Sequence, residues 1–243
     1  MRRIAALAAV AAIALPASGA ASTRITVFAA ASLTQVFPRI SAAPRYSFAG
    51  SDQLAAQIEQ GAPADVFASA SSKQAELLYH DGHLRKPVVF ATNRLVVIVP
   101  HSNPARLHSV YDLRGNGVKV VIGDPSVPVG AYTRQVLDAL GITAAVMKNV
   151  VDREPDVKGI VAKIALGEGD AGFVYKTDVR PVRGKVRAVA IPRWAQPPIR
   201  YEVGVVRSSA HAAAAAAFVR QVTSLRGRRL LVESGFGLPR RRR

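Results

Sequence analysis

The 243-residue chain contains no cysteine. That excludes disulfides, thiolate metal ligands and a lipid attached to a cysteine after leader cleavage. Aromatic residues make up only 6% of the chain, too few to suggest a platform for stacking single-stranded nucleic acid. No segment approaches the ~20 consecutive apolar residues that span a bilayer. Acidic residues are scarce, 16 against 33 Lys and Arg, for a formal net charge of +17. A surplus of that size attracts anions and anionic surfaces. The arginines are nevertheless scattered rather than gathered on one helix face. They therefore read as a solvated surface, and no helix-turn-helix, RNP or zinc pattern supports a nucleic-acid partner. The five histidines, His80, His83, His101, His108 and His211, form no ligand constellation, so no metal held by side chains is expected.

What is present begins with a leader. Arg2 and Arg3 precede a short apolar stretch, Ile4–Leu15, then Pro16 and the small residues Ser18-Gly19-Ala20. Residues 1–21 read as a secretory signal peptide. Its removal would leave a charge of +15, four units of it in the terminal run Arg240–Arg243, a basic tail. The mature protein is expected in the periplasm or at the cell-envelope exterior, and not as a lipoprotein.

Strand-like runs rich in Val, Ile and Phe alternate with helix-like stretches. The strand-like runs are Ile25–Ala30, Arg45–Phe48, Val66–Ala68, Leu95–Val99, Lys119–Ile122, Ala171–Tyr175, Val186–Ala190 and Glu202–Val206. The helix-like stretches are Leu33–Ile40, Asp52–Gln60, Lys73–Asp81, Ala131–Leu140, Asp156–Leu166 and His211–Leu225. Strands that are apolar almost throughout fit a parallel or mixed sheet covered on both faces, so the class is α/β. The strands Leu95–Val99 and Glu202–Val206 bracket a middle section. This points to two lobes, residues 24–97 with 203–239 and residues 98–202, with those two strands as the hinge.

Twice, an apolar strand ends in small residues and a serine then opens a helix: Ala31-Ser32-Leu33 and Gly50-Ser51-Asp52. Taken singly, each serine is no more than an N-cap. Two further helix starts, Pro128-Val129-Gly130-Ala131 and Pro155-Asp156-Val157, bring the number to four. A helix start presents free N–H groups and the positive end of its dipole. In open α/β sheets ligands sit beyond the carboxyl ends of the strands. Four such starts facing one cleft could hold a small anion with neutral donors alone. Asp52, an acid in a first helical turn, is expected to point into solvent.

The blocks FAAASL, FAGSDQLAAQIEQGAPADVFASA, VIGDPSVPVGAYTRQVLDALG and DVKGIVAKIALGEGDAGFVY resemble, in order and approximate spacing, the periplasmic molybdate-binding proteins of ABC transporters. The likeness runs from about Ile25 to Gly237. It implies a two-lobe periplasmic-binding-protein fold of type II, each lobe a mixed sheet flanked by helices. It implies a monomer without cofactor or enzymatic activity, which captures molybdate or tungstate between the lobes and delivers it to a permease and its ATPase. It also implies a ligand shell: hydroxyl and N–H from Ser32 and Ser51, N–H from Val129 and Val157, and the Tyr175 hydroxyl. The segment between Ser32 and Ser51 is shorter than the family's usual one, and Pro38 is expected to interrupt the first helix. The weighed alternatives are the same fold with sulfate or phosphate and, more remotely, a serine hydrolase. The second is opposed by the lack of a G-x-S-x-G elbow.

Overall fold

The computed structural model describes residues 24–239. The expected leader and the Arg240–Arg243 tail lie outside them. Strands β1 (Thr26–Ala30), β2 (Arg45–Ala49), β3 (Val66–Ser69), β4 (Val88–Asn93) and β10 (Ile199–Val205) form one sheet, ordered β2-β1-β3-β10-β4. Strands β5 (Leu95–Pro100), β6 (Val120–Gly123), β7 (Val150–Glu154), β8 (Ala171–Tyr175) and β9 (Val186–Val189) form the other, ordered β7-β6-β8-β5-β9. The two sheets share one plan. Three parallel strands are followed by an antiparallel one and then an edge strand. This is a two-lobe α/β fold.

The helices are α1 (Phe37–Ile40), α2 (Ser51–Glu59), α3 (Ser72–His80), α4 (Pro128–Ala139), α5 (Thr143–Lys148), α6 (Val157–Leu166), α7 (Lys176–Val179), α8 (Ala212–Thr223) and α9 (Leu225–Glu233). The apolar strands are covered on both faces. In β1, Val27 and Ala29 face one core while Phe28 faces another, where Leu54, Ala55 and Ile58 of α2 and Leu78 of α3 meet Phe67. Each such fully buried side chain contributes roughly 1.5–3 kcal/mol. Among the described residues no helix is long and apolar enough to cross a membrane.

The chain passes from the first sheet to the second at Arg94 and returns between Val189 and Ile199. The two strands expected to form the hinge each begin at a crossing, β5 at Leu95 directly after Arg94 and β10 at Ile199 as the chain returns. β5 sits between β8 and β9, and β10 between β3 and β4, each inside one sheet. Both are apolar because neighbours cover them. The expected first helix is also replaced. Ala31–Leu33 is a single 3-10 turn, and Pro38 sits in the first turn of α1, where its missing N–H costs nothing. The helix expected over His211–Leu225 ends at Thr223, and Ser224 caps a separate α9 by accepting the Gly227 N–H. Strands β4 and β7 and helices α5, α7 and α9 lie outside the sequence expectations.

Candidate functional site

β1 and β2 run parallel with Ala30 opposite Ala49. Ser32 and Ser51 each follow two residues later, so both emerge at the carboxyl end of the first sheet. In the second lobe the turns after β6 and β7 lead into α4 and α6, and β8 ends at Tyr175. Ser32, Ser51, Val129, Val157 and Tyr175 line one cavity of about 20 Å³ between the lobes, whose remaining wall includes Ala30, Ala49 and Gly50. By the usual measure one water needs ~10–15 Å³, so the space suits a single compact solute.

Ser51, Val129 and Val157 lie in the first turns of their helices, where a backbone N–H has no acceptor within the helix. The Gly130 position explains how closely the α4 start approaches β6. A Cβ there would collide with the Asp124 carbonyl. Asp156 is the only charged residue on the cavity wall, and its carboxylate is engaged by the N–H groups of Lys158 (2.6 Å) and Gly159 (3.3 Å) at the head of α6.

Ser51 Oγ accepts the Ala70 N–H at 3.1 Å. Ser32 Oγ lies 2.9 Å from the Tyr201 hydroxyl, which also receives Asn93 Nδ2 at 3.3 Å. Neither serine bonds a histidine, so neither is set against a base as a nucleophile would be. The Tyr175 hydroxyl is buried without any hydrogen-bond partner. Burial holds its pKa well above the ordinary tyrosine value, so it keeps its proton. A buried orphan donor costs about 1–3 kcal/mol, and one on a residue that lines a cavity points to a ligand acceptor.

The lobes touch at the cavity rim. A Cβ on Gly50 would stand 2.7 Å from the Pro155 carbonyl of the opposite lobe. Asp52 does not simply face solvent as expected. Its Oδ2 accepts the Ser126 hydroxyl across the cleft at 2.8 Å, while Oδ1 is buried and unpartnered. The closeness of the α4 approach draws this first-turn acid to the other lobe, and it is not among the cavity-lining residues.

Behind the site, Asp178 is buried near Lys158 Nζ (3.3 Å), and burial raises its pKa to about 6 against the lysine's opposing pull. Tyr201, Asn93 and Ala70 are site-supporting groups that sequence reasoning did not find. Tyr201 sits 169 positions from Ser32, and no local pattern marks it.

The family model described as "Bacterial extracellular solute-binding protein" matches residues 25–237. The molybdate-binding protein ModA of Mycobacterium tuberculosis (strain H37Rv) is 40% identical over 234 residues, covering 92% of this chain and 87% of that protein. ModA of Haemophilus influenzae is 34% identical over 238 residues, covering 90% and 92%. The solved periplasmic molybdate-binding protein of Azotobacter vinelandii superposes with a TM-score of 0.79 at 24% identity, over 89% of this chain and 100% of that one, a likeness of fold. The chain belongs to the bacterial extracellular solute-binding proteins. Its function is to bind a solute rather than to turn one over.

Proposed function

We propose that this solute-binding protein captures molybdate, and tungstate with it, in the cavity between its lobes and hands the anion to an ABC permease in the cell envelope. The observation that carries the reading is the Tyr175 hydroxyl, buried, protonated and unpartnered on the wall of a cavity that two serines and two helix starts also line. A tetrahedral dianion offers four acceptor oxygens. Seven neutral donors could meet them: the N–H groups of Ser32, Ser51, Val129 and Val157, and the hydroxyls of Ser32, Ser51 and Tyr175. Hydrogen bonds to a charged acceptor contribute roughly 1.5–3 kcal/mol each. The helix starts add positive potential without a counter-ion, and no cofactor is called for. Relatives and solved neighbours that carry molybdate in their names support the choice of anion.

Selection against sulfate would rest on size, because donors fixed for longer metal–oxygen bonds leave sulfate with stretched contacts. Lobe closure would both bury the anion and form the face that the permease reads. Calorimetric titration of the mature protein with molybdate, tungstate, sulfate and phosphate tests the reading. One-to-one binding of the first two is expected. Heat from sulfate or phosphate alone would keep the fold and overturn the ligand.

A further inference from the structure

We infer that Tyr201 and Asn93 are positioning residues that fix Ser32 as a hydrogen-bond donor toward the cavity, and that they thereby exclude oxyanions that still carry a proton. The inference rests on the oxyanion reading above. It follows from the order in which protons can be placed along one buried chain of side chains.

The chain starts at the crossing between the lobes. Asn93 Oδ1 accepts the Arg94 N–H at 2.9 Å. That contact sets the amide's orientation, since the flipped amide would oppose two donors. Both Nδ2 protons are then spoken for, one on Thr177 Oγ1 at 3.0 Å and one on the Tyr201 oxygen at 3.3 Å. Tyr201 is wholly buried, and burial holds its pKa well above the ordinary value, so its single proton stays. Because its oxygen accepts from Asn93, that proton goes to the remaining neighbour, Ser32 Oγ at 2.9 Å. This bond occupies one Ser32 lone pair and bars the serine proton from that side, which leaves the proton available to the cavity.

Ser51 is set in the same sense by the Ala70 N–H at 3.1 Å. Tyr175 brings a proton with no other partner. The cavity's hydroxyls therefore present protons. A ligand oxygen bearing its own proton, as on hydrogen phosphate, meets donor against donor. Ser32 could offer it a lone pair only by turning its own proton out of the cavity and losing that bond to the ligand. Discrimination of this kind, through a buried group left unpaired, is stronger than discrimination by shape. The device is remote from the ligand: the amide that starts it sits at the lobe crossing and also holds Thr177, which belongs to the second lobe.

Tyr201→Phe tests it, because the variant deletes one hydroxyl and keeps the ring packed against Phe90, Tyr175 and Phe236. We expect molybdate affinity to fall about tenfold, the equivalent of one hydrogen bond. The telling readout is the ratio of hydrogen-phosphate to sulfate binding, which should rise at least several-fold as the freed Ser32 hydroxyl turns to accept. In a Ser32→Ala background the same Tyr201 change should leave the ratio where it is. Asn93→Asp should raise the ratio too. Its carboxylate would take the Tyr201 proton, so that Ser32 must donate to Tyr201 and offer the cavity a lone pair. A fall of equal size for every anion, or a Tyr201 effect that persists without the Ser32 hydroxyl, would overturn the inference alone. A wild-type protein that binds no tetrahedral oxyanion would overturn the oxyanion reading and the inference together.

Discussion

Ser126 and Asp52 meet across the cleft, the serine hydroxyl donating to the carboxylate at 2.8 Å. One residue opens α2 on the first lobe, and the other lies just before α4 on the second, so the bond exists only when the lobes are together. It faces water, and such a bond is worth about 0.5–1.5 kcal/mol. Ser126→Ala is predicted to weaken molybdate binding by about two- to tenfold, mainly through faster release. The unliganded protein should melt at its usual temperature. Stopped-flow release and a thermal melt check both parts.

Gly50 marks a close approach of the lobes. A methyl group there would stand 2.7 Å from the Pro155 carbonyl and 3.3 Å from Val127. The backbone at Gly50 has φ −58° and ψ 139°, which any residue adopts, so the constraint is space rather than strain. Gly50→Ala should fold normally and hold the lobes apart. Molybdate should then fail to compact the protein in solution scattering and should bind at least tenfold more weakly.

Tyr175 carries an unpaired hydroxyl that burdens the closed cleft when it is empty and serves it when it is filled. Tyr175→Phe removes a cost of about 1–3 kcal/mol from the closed, unfilled cleft. The variant is predicted to be as stable as wild type or more so without ligand, and to bind molybdate about tenfold or more weakly. A melt with and without molybdate reads both, since a smaller ligand-induced rise reports the lost affinity.

Asp178 titrates in the folded protein at about 6, above its ordinary 3.8, chiefly through burial. Between those values the folded state binds more protons than the unfolded state, so this group's contribution to stability declines as pH rises from about 4 to 6. By pH 7 it should cost on the order of 3 kcal/mol relative to the protonated acid. Asp178→Asn is predicted to match wild type near pH 4 and to be several degrees more stable at pH 7. A constant difference across that range would contradict the assignment.

Those features that were legible in the sequence are the local ones. A strand ending in alanine or glycine followed by a serine at a helix start is written in consecutive residues, as at Ala30–Leu33 and Ala49–Leu54. The two-face burial of β1 is written in its unbroken apolar run. Which sheet each of β5 and β10 joins was not legible, because an apolar string looks the same whichever lobe it fills. β7 escaped notice because it is an edge strand whose Asp152 and Glu154 reach Lys163 on α6 rather than a core. The cross-lobe role of Asp52 and the Asn93–Tyr201–Ser32 chain depend on partners 74 to 169 positions apart, which no pattern in a single sequence joins.

The most direct test of the neutral-donor shell is an anomalous difference map at the molybdenum edge, from crystals grown with one equivalent of molybdate. The account predicts one peak in the cavity between the lobes. The anion's oxygens should lie within hydrogen-bond distance of the Ser32, Ser51 and Tyr175 hydroxyls and of the Val129 and Val157 N–H groups. No Lys or Arg should contact it. A peak held by surface arginines, or a cavity anion contacted by a cationic side chain in place of those donors, would contradict it.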